Sequence, residues 1–282
     1  MSLVTNISGY KFIPIMNPIA LRPRLRNACL RLGIKGTILV SQEGINMVLA
    51  AERESLAVFL EFLRADERFS DMTFKESTSD TQPFNRMLVR LKREIISFDF
   101  LLDEKTRGKY VQPQLLKKWL DEKKDVILLD TRNDYEIEVG TFENALTPSM
   151  KSFKDFKEVV AHLSDLKEKT IVTFCTGGVR CEKAAPYMEQ QGFKDVYQIE
   201  GGILRYFEEC GGAYWKGECF VFDQRVTLQP SLEQGDWILC YRCRHPLDGE
   251  DQKSPLYVKN VSCSHCIERS EEVKNPDPCT LY

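Results

Sequence analysis

The run Cys175-Thr176-Gly177-Gly178-Val179-Arg180-Cys181 places a thiol, two glycines and an arginine between a short apolar segment, Thr170 to Phe174, and a helix-like segment, Glu182 to Gln191. Residues of these types in this order make an anion cradle. The glycines allow a tight turn whose successive N–H groups point inward. The helix that follows adds partial positive charge at its N-terminus, and Arg180 adds a full charge. A thiol held there has a lowered pKa and is largely thiolate at neutral pH. The plain alternative is a buried cysteine ending a strand. The glycine pair, the arginine and the helix together argue against it.

A second set of residues points to metal. Cys240-x-x-Cys243 and Cys263-x-x-Cys266 are separated by 19 residues, the spacing of a structural four-cysteine zinc site. His245 and His265 are further ligand candidates. The surrounding segment, 217–282, is too short for a core of its own, so a bound zinc would supply folding energy. Reduced surface thiols and a pair of disulfides are the alternatives.

These groups sit in a chain of 282 residues with ten cysteines and a formal net charge of −3. That length suits two domains and a small third. No apolar run approaches 18 residues, and Met1 to Tyr10 lacks a basic segment followed by an apolar core. The expectation is therefore a cytoplasmic protein with no membrane partner, in which cysteines bind metal or catalyse rather than form disulfides. The net charge does not mark a nucleic-acid binder, but its distribution is uneven. Residues 1–93 hold 14 Lys and Arg against 9 Asp and Glu. Basic residues cluster at Arg22, Arg24, Arg26 and Arg31 and at Arg86, Arg90, Lys92 and Arg93. Such clusters contact phosphates or simply form solvated faces.

The elements that must position these residues follow from periodicity. Tyr10 to Ile15 reads as a strand and Pro18 to Leu32 as a helix, with Leu21, Leu25, Ala28 and Leu32 on one face. Gly36 to Ser41 and Ile45 to Ala51 form a hairpin around Gln42-Glu43-Gly44. Glu52 to Ala65 is a helix, and Met72 to Lys75 and Met87 to Leu91 are strands. This β-α-β-β-α-β order predicts a ferredoxin-like (acylphosphatase-like) α/β sandwich over 1–99. Residues 100–112, with Gly108 and then Pro113, read as a linker. From 113 to 216 strands and helices alternate: helix Gln114 to Glu122, strand Val126 to Asp130, helix Phe153 to Leu166, strand Thr170 to Phe174, helix Glu182 to Gln191, strand Val196 to Ile199, helix Ile203 to Cys210. The fold class is α/β, and this second domain has a parallel sheet covered on both faces. Cys175 then ends a strand, where open α/β sheets carry their sites. The Cys-rich region, 217–282, follows.

Four residues lie between Cys175 and Arg180, where protein tyrosine phosphatases place five. Cys-x4-Arg between strand and helix resembles the active-site loop of rhodanese domains. Asp130-Thr131-Arg132-Asn133-Asp134-Tyr135-Glu136 resembles that family's first signature, and Glu200-Gly201-Gly202 its glycine pair after the last strand. Gly140-Thr141-Phe142-Glu143-Asn144-Ala145 stands where the family has Gly-His-Ile, with Thr141 in place of the histidine. Asp130 and Arg132 are expected to hold the fold by a buried pair rather than to catalyse. The resemblance implies that Cys175 is the nucleophile and Arg180 the anion clamp, with Thr176, Gly177, Gly178 and Val179 as the cradle and Cys181 as a secondary, resolving thiol.

The order of the whole chain is more specific. Ser41-Gln42-Glu43-Gly44-Ile45-Asn46, the extended loop through Glu182-Lys183-Ala184, Phe220-Val221-Phe222-Asp223-Gln224-Arg225 and the cysteine-rich tail together resemble the rhodanese-domain tRNA uridine hydroxylases. The resemblance runs from about Tyr10 to Cys266. It implies tRNA as partner, molecular oxygen as cosubstrate and 5-hydroxyuridine at the wobble position as product. A sulfur or electron donor is a further expected partner. Composition and spacing show none of this chemistry. No flavin or nicotinamide fingerprint is present, and His162, His245 and His265 supply no two-histidine, one-carboxylate iron site. The loop alone serves equally a sulfurtransferase working through a Cys175 persulfide. A zinc-stabilised RNA-binding scaffold would leave the complete loop unexplained.

Overall fold

In the computed structural model, which describes residues 3–102 and 108–267, the chain opens on a five-stranded sheet. Its elements are β1 (Val4–Phe12), α1 (Pro18–Arg31), β2 (Lys35–Ser41), β3 (Gly44–Ala51), α2 (Arg53–Arg64), β4 (Lys75–Ser79) and β5 (Met87–Leu91). The strand order is β4-β1-β3-β2-β5, antiparallel except that β5 joins β2 in parallel. The first four strands have the expected ferredoxin-like order, and β5 extends the edge. Leu21, Leu25, Leu56 and Phe59 of the helices pack with Ile7, Ile38 and Met47 on one face. The period of two leaves Asn6, Ser8, Tyr10, Asn46 and Val48 on the other.

Two strands lie elsewhere than the sequence pattern predicts. β1 begins at Val4, because Thr5 and Asn6 are accommodated inside; Asn6 Nδ2 donates to Ser79 Oγ at 3.0 Å. β4 is Lys75–Ser79 rather than Met72 to Lys75. Phe69, which ends a 3₁₀ turn at Glu67–Phe69, and Met72 are instead buried in the same core as Phe59 and Leu63 of α2, so the apolar signal belongs to the core and not to the strand.

The second sheet is parallel, in the order β6-β10-β9-β7. Its elements are β6 (Lys109–Val111), α3 (Pro113–Asp121), β7 (Val126–Asp130), α4 (Asp134–Ile137), β8 (Gly140–Phe142), α5 (Phe156–His162), β9 (Thr170–Phe174), α6 (Cys181–Gln190), β10 (Asp195–Ile199), α7 (Gly202–Cys210) and β11 (Trp215–Gly217). Helix residues cover both faces: Ala184, Ala185 and Met188 on one, Leu116, Ile203 and Tyr206 on the other. Lys109–Val111, given to the linker by the sequence, is an edge strand beside Tyr197–Ile199. Residues 103–107 of that linker lie outside the described residues. The helix expected over Phe153 to Leu166 is broken into a 3₁₀ turn, α5 and a second 3₁₀ turn. Ser152 and Asp155 form a capping box that starts the first turn, and Ser164-Asp165 favour local bonding over helix continuation. Among the described residues no helix is long and apolar enough to cross a membrane.

Residues 219–267 form short two-stranded pieces, turns and two short helices, Gly249–Lys253 and Ser264–Ile267. Phe220 and Val226 pack with Val139, so this region lies against the second sheet's domain. The tail beyond residue 267 falls outside the described residues.

Candidate active site

Cys175 follows β9 and precedes α6, at the carboxyl edge of the parallel sheet. The loop is held from behind. Cys175 O and Thr176 O accept from Ile203 N and Leu204 N at the start of α7, at 3.0 and 3.1 Å. This contact requires glycine at 202, where φ is +68° and a Cβ would lie 2.5 Å from Cys175 O. With those carbonyls engaged behind it, the loop turns an N–H inward, and Gly178 donates to Cys175 Sγ at 3.2 Å.

Burial by itself raises the Cys175 thiol. A hydrogen bond from Cys181, the Arg180 charge and the N–H groups of Arg180 and Cys181 outweigh it and bring the pKa down to about 6. Cys181 moves the other way: burial, then the neighbouring Cys175, raise it. Its sulfur lies 3.6 Å from Thr131 Oγ1. The two thiols are thus separated by environment, with the negative charge on Cys175.

Arg180 is not aimed at Cys175 alone. Its Nη2 donates to Glu136 Oε1 at 2.9 Å, and Glu136 is fully buried. Nη1 is buried with no hydrogen-bond partner among the described residues. The guanidinium also lies 5.7 Å from the Phe222 ring centre. Glu136 in turn is fixed by the capping box at the start of α4. Asp130 and Arg132 form the expected buried pair, at 2.6 Å. Thr141 Oγ1 donates to Asp130 Oδ2 at 2.8 Å, so threonine supplies a donor to this pair at the position of the missing histidine.

The first domain contributes residues that the sequence did not single out. Lys75 Nζ donates to Gly177 O at 2.6 Å. Tyr10 OH donates to Glu182 Oε1 at 2.8 Å, and a Cβ on Gly178 would lie 2.8 Å from that hydroxyl. Lys183, fully buried, pairs with Glu43 Oε2 at 2.9 Å and Glu94 Oε2 at 3.0 Å. Glu43 lies in the Ser41–Asn46 stretch and Lys183 just after the Cys175 loop, and their pairing ties the β2–β3 turn to the helix that follows the loop. The visible signal was the polar alternation Asn6, Ser8, Tyr10 on a strand whose other face is core.

Between that polar sheet face and the loop lies a cleft of about 690 Å³. Cys175, Gly177, Val179 and Arg180 line one side, and Tyr10, Asn46 and Lys75 the other. Tyr135 and Phe222 add aromatic walls, and Lys92 brings one of the N-terminal basic residues to the rim. A second cleft, about 750 Å³, shares the Tyr10 and Lys75 wall but is lined by Glu182, Glu200 and Arg205 and excludes Cys175. The first has the volume of a small-molecule site and contains the activated thiol.

The residues after 217 complete this cleft. Thr176 Oγ1 donates to Phe220 O at 3.3 Å, and Arg225 Nη1 donates to Ser77 Oγ at 2.8 Å. Farther along, the sulfurs of Cys240, Cys243, Cys263 and Cys266 all lie within 4.8 Å of one another. The separations are 4.0 Å for Cys240–Cys266, 3.6 Å for Cys243–Cys263 and 3.8 Å for Cys263–Cys266. A tetrahedron with metal–sulfur bonds near 2.3 Å has edges of roughly 3.8 Å, so the cluster can hold a metal. These cysteines are free rather than disulfide-bonded. The histidines are used elsewhere: His245 pairs with Glu138 at 2.9 Å, His265 with Asp251 at 3.3 Å, and their rings stack.

Fold and site together define a two-domain α/β protein with a rhodanese-type thiol loop facing an acylphosphatase-like sheet. Residues 4–95 match the UPF0176 acylphosphatase like domain and residues 112–209 the rhodanese-like domain. The chain is 50% identical over 272 residues to the tRNA uridine(34) hydroxylase of Cupriavidus taiwanensis, covering 94% of this chain and 96% of that one. It is 48% identical over 278 residues to the protein of the same name from Paraburkholderia xenovorans, covering 94% and 96%. The rhodanese-like domain from Anabaena sp. aligns at 19% identity and a TM-score of 0.33, over 38% of this chain and 78% of that one. The chain belongs to the tRNA uridine(34) hydroxylase family.

Proposed function

We propose that this protein hydroxylates C5 of the wobble uridine of tRNA, with Cys175 as nucleophile, Arg180 as anion clamp and molecular oxygen as cosubstrate. The observation that carries the reading is a buried, acidified thiol at the base of a nucleotide-sized cleft, in a chain half identical to a protein named for this reaction. Tyr10, Tyr135 and Phe222 offer ring faces for a base, as single-stranded RNA sites do. A wobble base lies in a loop and needs no unpairing, so its entry costs less than flipping from a duplex. α1 packs on β5, where Arg22 Nε donates to Val89 O at 2.9 Å, and the exposed Arg24 and Arg26 of the same helix offer charge for phosphates. A tRNA substrate fits a cytoplasmic protein.

The chemistry follows from the thiolate. Cys175 Sγ adds to C6 of uracil, and the C5–C6 π pair moves to C5 and the O4 enolate. C5 is then nucleophilic. One atom of molecular oxygen ends on C5 and the other leaves as water, with two electrons from a sulfur or other electron donor and two protons. Elimination of Cys175 restores the ring. Sulfur transfer through a Cys175 persulfide uses the same loop, but the family relatives carry the hydroxylase name and the sheet-lined cleft suits a base. Zinc in the four-cysteine cluster has a structural part here. The test is mass spectrometry of nucleosides from tRNA of a deletion strain with no second route to the modification. Loss of 5-hydroxyuridine derivatives is expected, and unchanged levels would sink the reading.

A further inference from the structure

We infer that Lys75, a residue of the first domain, is a positioning residue for the Cys175 thiolate and acts on it through the Gly177–Gly178 peptide. The inference rests on the reading of Cys175 as the reactive thiol. Three successive carbonyls of the loop need partners. α7 holds those of Cys175 and Thr176. Among the described residues no backbone N–H donates to the third, Gly177 O; Lys75 Nζ does, at 2.6 Å. The same peptide unit carries the Gly178 N–H that donates to Cys175 Sγ at 3.2 Å.

In a trans peptide the C=O and N–H point in opposite directions. A cation on the oxygen therefore fixes the orientation in which the N–H faces the sulfur, and polarises the peptide toward that charge. Neither residue has a side chain to resist rotation of this peptide; Glu182 N holds Gly178 O at 3.3 Å, one peptide further on. A Cβ on Gly177 would meet nothing within 4 Å, and Gly178 already stands at φ +98°. A flipped peptide would present Gly177 O to the thiolate and repel it. The first domain thus holds the loop in its anion-binding form.

Lys75 is suited to this. Its Nζ lies 5.1 Å from the Tyr10 ring centre, beside the cleft. Burial lowers its pKa, Cys175 and Glu182 oppose this, and the result, about 8, leaves it mostly cationic at neutral pH. The charged and titratable groups facing Cys175 are Arg180 and Cys181 from its own loop and helix and Lys75 and Tyr10 from the sheet. Glu136 pairs with Arg180, Glu182 takes the Tyr10 hydroxyl, and Glu200 pairs with Arg205.

The experiment is the pH dependence of iodoacetamide modification at Cys175, read by mass spectrometry on the tryptic peptide Thr170 to Arg180, in which Cys175 is the sole cysteine. Lys75→Met is expected to raise the midpoint by about half a unit or more, the weight of a charge-assisted hydrogen bond relayed through one peptide. Lys75→Arg keeps charge and donors and should restore most of the shift, with Lys75→Gln between them. An unchanged midpoint in a Lys75→Met protein that melts normally overturns the inference. If that variant does not fold, equal midpoints for Lys75→Gln and Lys75→Arg overturn it instead. The readout uses neither tRNA nor oxygen. Failure of the hydroxylase reading therefore leaves it intact, and an unchanged midpoint with full hydroxylation removes Lys75 alone.

Discussion

Arg180 Nη2 donates to Glu136 Oε1 at 2.9 Å, so the cation that faces the Cys175 thiol is already half spent on a buried carboxylate. The two partners therefore act on the thiol with opposite sign. Arg180→Ala should raise the Cys175 midpoint by about one unit, the loss of a nearby positive charge. Glu136→Gln should lower it, because the guanidinium would then face the sulfur unneutralised. Arg180→Ala also strands Glu136, at a cost of about 3–5 kcal/mol, and Arg180→Lys separates charge from the planar fork. Midpoints that move in the same direction in the Ala and Gln variants would contradict this arrangement.

The two adjacent thiols are expected to differ in function. Cys175→Ala and Cys175→Ser should abolish hydroxylation while leaving a cooperative melting transition, since the side chain changes little in volume. Cys181→Ala should retain more activity, because burial and the neighbouring sulfur keep Cys181 protonated. The reverse order of residual activities would identify Cys181 as the working thiol.

The pH profile has a defined sign. With the Cys175 pKa at about 6, the thiolate and the rate it supports fall as pH drops through 6. The same shift is linked to stability. A thiol lowered from roughly 8.5 in the unfolded chain stabilises the fold above that value, and the contribution is lost as pH falls through about 6. The melting difference between wild type and Cys175→Ser should thus move in favour of wild type between pH 5.5 and 8.5. A difference that stays constant across that range would show that Cys175 is not ionised in the folded state.

Lys183 holds the domains at one point through Glu43 and Glu94. Burial alone would raise Glu94, but the Phe98 N–H and Lys183 outweigh it and leave its pKa lowered. Lys183→Met should cost about 3–5 kcal/mol by leaving carboxylates buried without a counter-charge, and adding Glu94→Gln should recover part of it. Denaturant titrations of the single and double variants measure this coupling. Additive losses would mean that the pair does not bind the domains.

Metal removal should act locally. Purified protein is expected to contain about one zinc per chain, and a strong chelator should unfold the region around Cys240 and Cys263 before the parallel sheet. Hydrogen exchange resolved by peptide reads both regions at once. Metal-free protein with full protection near Cys240 would refute the zinc site.

What could be read from residue types was whatever depends on local pattern. β5, β7 and β9 fall where periodicity put them, and the Cys175 loop and the two Cys-x-x-Cys turns are contiguous signals. What could not be read depends on contacts between distant segments. Arg180 was visible as a cation, but its pairing with Glu136 needs the fold of β7 and α4. Lys75 looked like the end of a strand; only the packing of the first sheet against the loop brings its Nζ to Gly177 O, 102 positions away. Met72 misled because apolar character marks burial, not strand.

The placement of Phe222 and Arg225 sets an order of events during synthesis. These residues leave the ribosome after both sheets, yet Phe222 walls the cleft and Arg225 reaches Ser77 of the first sheet. Domains fold largely as they emerge. The loop can therefore form on a nascent chain before the enclosure around its thiol is complete. Truncated translation products would carry Cys175 in an open cleft, which makes them distinguishable from finished protein by the size of reagent that can reach the sulfur.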